Sequence, residues 1–155
     1  MNPFSLTADM IATLFRHHDL NPICGGDWLG WEEDQADDEQ PHAASILGVL
    51  MIDNLGWKKS LEVFFVTTEE LPPDLRPDRM DEAPYHHAID TLGVSSAFVS
   101  WLIVGWDWEL KGTKREFEVP SQCTGFISQY AYRLGVETRM KVELHTPIVK
   151  CESAK

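Results

Sequence analysis

The sequence predicts an α+β fold: one domain over residues 1–155, with a roughly four-stranded, mainly antiparallel sheet and three to four helices packed on it. Three observations lead there. Apolar residues recur at helical spacing in the first third of the chain. Later segments are rich in β-branched and aromatic residues, or alternate apolar with polar. Two of those segments flank a turn-like KGTK, and there is no regular strand–helix–strand alternation of the kind that builds a parallel sheet.

Taken in order, residues 5–18 read as a helix, because Leu6, Met10, Ile11 and Leu14 share one face and Ser5 or Thr7 can cap the first amides. A loop follows to residue 40, broken by Pro22, Gly25, Gly26 and Gly30. Pro41 suits the first turn of a second helix over about 42–55, which is apolar on most sides and therefore expected at the centre. Gly56 stops it. Residues 60–68 read as a strand. Pro72, Pro73, Pro77 and Pro84 interrupt the next stretch, and a short helix over about 84–93 ends at Gly93.

The segment SAFVSWLIVGWDWEL is read as a strand because Trp106, Trp108 and Leu110 alternate with Asp107 and Glu109. REFEVP is then the returning arm of a hairpin. Ser121 caps a helix containing Phe126, Ile127, Tyr130 and Leu134, which Gly135 ends. Residues 136–146 form the last strand, with Val136, Thr138, Met140, Val142 and Leu144 on one face and Pro147 as its stop.

Charge is the most unusual bulk property, with 25 acids, 13 bases and a net −12. Residues 1–90 hold 18 acids and five bases, a balance of −13, whereas residues 91–155 hold seven acids and eight bases, a balance of +1. Such a field repels nucleic-acid phosphates and acidic membrane surfaces, and attracts basic proteins. The three cysteines, Cys24, Cys123 and Cys151, are odd in number and widely spaced, which suits a reducing compartment. With no signal peptide and no membrane-length apolar run in the sequence, the cytoplasm is the expected location.

The acids concentrate in two loops at about 19–41 and 69–84. The first contains DWLGWEEDQADDEQ, two tryptophans set directly before a run of carboxylates. Interfaces are enriched in tryptophan at their centres with polar rims around them. The candidate partner-binding residues are therefore Asp27, Trp28, Trp31, Glu32, Glu33, Asp34, Asp37, Asp38 and Glu39, joined by Glu69, Glu70 and Asp74 of the second loop. An equally weighted reading has both indoles folding back to anchor the loop.

The function these features predict is a non-catalytic acidic binding protein that inhibits a basic, nucleic-acid-binding protein. Immunity proteins and phage anti-defence inhibitors that imitate phosphate spacing are the natural classes. Neither a cofactor nor a metal is expected, since zinc spacings and the EF-hand pattern are missing. Direct nucleic-acid binding is disfavoured by the sign of the charge, and no membrane partner is expected. One alternative is a small enzyme with a dispersed site drawn from Cys24, His86, His87, Asp90 and His145, with His42 as a further ligand. Another is a structural homo-oligomer associating through a tryptophan-rich sheet. Cys24 alone, flanked by glycines, reads better as a small apolar residue than as a nucleophile.

Overall fold

A computed structural model describes residues 2–24, 29–31, 34, 39–64, 89–107, 119–144 and 149–150. Its described elements are mainly helical. After a 3-10 turn at Pro3–Ser5 come α1 (Ala8–His17), β1 (Asn21–Cys24), β2 (Leu29–Gly30), β3 (Ala43–Ala44), α2 (Ile46–Leu55) and α3 (Trp57–Phe64). A single helical turn at 89–92 precedes α4 (Ser96–Trp106), α5 (Phe126–Glu143) and β4 (Val149–Lys150).

Among the described residues the expected antiparallel sheet does not form. The strands that do form are two to four residues long and make a small mixed sheet in the order β2-β3-β1-β4. β1 runs parallel to β3 (Asn21 opposite Ala43) and to β4 (Ile23 opposite Val149), while only β2 and β3 pair antiparallel. None of these strands lies in a segment expected to be one.

The first two helices follow the sequence closely. Thr7 caps α1, its hydroxyl accepting from the Met10 amide, and Ile11, Ala12 and Phe15 are buried. α2 starts at Ile46 rather than near residue 42, because Ala43–Ala44 pair in the sheet and Ser45 supplies the cap to Gly48 N–H. Its residues from Ile46 to Ile52 are all buried, so it is the central helix its composition demands. Gly56 ends it at φ 82°, a conformation that strongly favours glycine.

Three expected strands are helices instead. The described part of 60–68 belongs to α3, where the Ser60 amide and hydroxyl both bond back to the Gly56 carbonyl. Residues 96–106 form α4, capped by Ser95. Its alternating tail and most of the expected hairpin, 108–118, lie outside the described residues, and Val119 and Pro120 at the end of the returning arm are not in a strand. Residues 136–143 continue α5, which starts after Gly125 without a side-chain cap and runs straight through Gly135. Of the short helix expected at 84–93, only 89–92 is described, and Gly93 ends it at φ 65°.

The reason α5 does not stop at Gly135 is its crossing with α4. A Cβ at Gly135 would lie 2.4 Å from the Leu102 carbonyl oxygen, and one at Gly105 would lie 2.2 Å from that of Tyr132. Glycine serves here for backbone approach, not for termination. The helices interlock at these two residues, and α1 packs on α5 beside them. One main core results, containing Phe15, Leu47, Leu50, Phe98, Leu102 and Trp106 among others.

Candidate interaction site

The first acidic segment springs from the sheet edge. β2 and β3 hold its two ends together, with Leu29 opposite Ala44 and the His42 amide donating to the Gly30 carbonyl at 3.0 Å. Trp31 closes the neck a second time, since its Nε1–H donates to the Glu39 carbonyl oxygen at 2.9 Å. The indole is half-buried and packs against the main core. Of the two readings of the loop tryptophans, Trp31 thus fits the anchor: its ring holds the neck of the acidic segment on the body of the protein.

Asp34 and Glu39, the other described candidates of this segment, are exposed. Asp27, Trp28, Glu32, Glu33, Asp37, Asp38, Glu69, Glu70 and Asp74 lie outside the described residues. So does the whole of the second acidic loop, 69–84.

The dispersed histidine site does not assemble among the described residues. Asp90 is exposed on its helical turn, Cys24 ends β1, and His86, His87 and His145 fall outside. His18 Nε2 lies 3.1 Å from Asp53 Oδ1, which ties α1 to α2, while His17 stacks edge-on against His18. Among the described residues no cluster of three or more His, Cys, Asp or Glu could hold a metal ion. Cys123 is buried, and that burial raises its thiol pKa, with the Arg133 charge only partly opposing the rise. A thiol held in this way is a poor nucleophile.

The tryptophans expected on a sheet face have other roles. Trp106 is fully buried, stacks on Phe15 with ring centroids 5.5 Å apart, and donates its indole N–H to the Ile23 carbonyl at 2.7 Å. Trp101 is half-buried on α4, edge-on to Tyr132. Trp108 is outside the described residues. Trp101 and Trp106 thus stand on a helix and present no sheet face.

Sequence reading also passed over Arg139. It is 1% exposed, donates Nη1–H to the Trp106 carbonyl at 2.7 Å and pairs through Nε with Glu143 at 3.1 Å. A buried guanidinium thereby satisfies a carbonyl at the C-terminal end of α4, where helix carbonyls lack internal partners. The available signal was the spacing of Arg139 and Glu143, four residues apart, which pairs them only if the segment is helical.

No helix among the described residues is long and apolar enough to cross a membrane. No protein-family model, no curated protein and no solved structure matches the chain.

Proposed function

We propose that the protein is a non-catalytic acidic binding protein of the cytoplasm that inhibits a basic, nucleic-acid-binding protein. One observation carries this reading: the negative charge is concentrated in the first 90 residues, at −13, against +1 for the remainder. Carboxylates in such excess steer a Lys- and Arg-rich surface toward them and compete with the phosphates that surface otherwise binds. The neck formed by β2, β3 and Trp31 supports the reading, because it gives the acidic segment a fixed base. Because Trp31 is committed to that base, its carboxylates carry the recognition and its indole holds their place.

The test is charge reversal. The protein is used to capture its partner from the native host, and the captured protein is then purified. It should be basic, bind nucleic acid, and lose that binding when the inhibitor is added. Replacing Glu32, Glu33, Asp37 and Asp38 together by Lys should slow association at low salt by about tenfold or more and flatten its salt dependence. Unchanged on-rate and affinity would remove the electrostatic basis of the proposal.

A further inference from the structure

The outer side of α5 carries an arrangement that neither the core nor the acidic segment uses. Phe126 is 88% exposed, Leu144 just beyond the helix is 80% exposed, and Met140 is 41% exposed. Arg133 and Glu137 are exposed between them, and Tyr130 is half-buried at the margin. Spacings of three and four residues put these side chains on one stripe. The stripe is about 27 Å long, with apolar groups at both ends and opposite charges at the middle.

Its order is symmetric about Gly135. Phe126 and Leu144 lie equally far on either side, as do Tyr130 and Met140, and so do Arg133 and Glu137. Gly135 itself faces inward onto α4, while Arg133 and Glu137, two residues to either side of it, are exposed. We propose that α5 pairs antiparallel with α5 of a second copy of this chain, about a two-fold axis at the level of Gly135. Leu144 of each copy then meets Phe126 of the other, and Arg133 faces Glu137 in both directions. A parallel pairing would set Arg133 against Arg133 and Glu137 against Glu137, so charge selects the antiparallel, self-complementary arrangement.

The receiving end is already shaped. Phe4, Phe126 and Ile127 line a shallow apolar cleft at the start of α5. Phe4 is held there edge-on to Tyr130 at 5.0 Å, and the Tyr130 hydroxyl donates to the backbone carbonyls of Phe4 and Leu6. Leu144 of the second copy fills this cleft. One helix face and one cleft give an interface at the lower end of stable sizes, which makes the dimer concentration-dependent. The inference is independent of the acidic-inhibitor reading, since it uses none of the acidic segment.

Mass in solution tests it, measured by light scattering or sedimentation from micromolar to near-millimolar protein. Salt at about 150 mM screens the repulsion between two negative chains. The expected mass rises from 17.6 kDa toward twice that value. Phe126→Asp and Leu144→Asp should stay monomeric, with far-UV circular dichroism and thermal unfolding confirming that these exposed substitutions leave the fold intact. Arg133→Glu alone and Glu137→Arg alone should each weaken dimerisation by about tenfold or more. Mixing those two single variants should restore it as a heterodimer, which pairing within one helix does not explain. A monomer at every concentration overturns the proposal, and so does a dimer indifferent to Phe126→Asp.

Discussion

On its inner side α5 presents Ser128, Ala131, Gly135, Thr138 and Val142, all buried. On its outer side it presents Phe126, Arg133, Glu137, Met140 and Leu144, all exposed. The inner series narrows to glycine where α4 crosses it, and the bulkier Tyr132, Leu134, Val136 and Arg139 are buried beside it. At Gly105 and Gly135 the two backbones come so close that no Cβ fits, and attraction is gained from many short contacts between the two helices. The outer face has no such restriction, so it can carry bulk.

The largest break in this contrast comes from filling the crossing. Gly105→Ala places its Cβ against the Tyr132 carbonyl, where no flexible side chain can move aside. Urea denaturation should show a loss on the order of 4–5 kcal/mol, or no folded protein. By contrast, Phe126→Asp on the outer face should leave monomer stability within about 0.5 kcal/mol. If the two variants cost the same, the two faces do not differ as described.

Next in size is Arg139→Ala, which removes the buried partner of the Trp106 carbonyl and leaves Glu143 unpaired. A loss of about 2–3 kcal/mol is expected by the same measurement, from the buried carbonyl left without its donor. Trp31→Phe keeps most of the packing but deletes the bond to the Glu39 carbonyl. It should cost about 1 kcal/mol and speed amide hydrogen exchange at His42, whose N–H closes the neck. Unaltered exchange there would show that the sheet pairing alone holds the segment.

The smallest effect is a pH dependence. The Cys123 pKa is raised in the folded protein by burial, so the neutral thiol is the native form. Its contribution is fully present below the unfolded thiol value of about 8.5 and is lost as pH rises toward the raised folded value. Stability should therefore decline above about pH 8.5, and Cys123→Ala should flatten that decline in urea midpoints measured between neutral and alkaline pH. The buried Tyr132 hydroxyl, whose pKa burial and Cys123 both raise, adds a decline of the same sign at higher pH.

How much was legible in the sequence varied by segment. α1 could be read because a capping residue and a repeating apolar face agree there, and α2 because a continuous apolar face and a stopping glycine do. The alternation across 136–146 misled, because Val136, Thr138 and Val142 are buried on a helix whereas Met140 is exposed. The better signal was the small-residue series Ser128, Ala131, Gly135, Thr138 and Val142 at spacings of three and four, which fits a helix and no strand. α4 is apolar on nearly every side, so no period was there to read. Of the candidate site, the sequence located the acidic segment and offered anchoring as one of two roles for Trp31.

By itself, then, the sequence determined the charge asymmetry, the first two helices and the positions of the two acidic segments, because composition and local spacing express these directly. Only the tertiary structure decided that residues 96–106 and 136–143 are helical and that Gly135 is a crossing point. It alone decided that Arg139 is buried and that Trp106 reaches the Ile23 carbonyl. Each of these depends on a partner distant in the chain. β-branched and aromatic residues favour strands only weakly, and a close-packed neighbouring helix outweighs that preference.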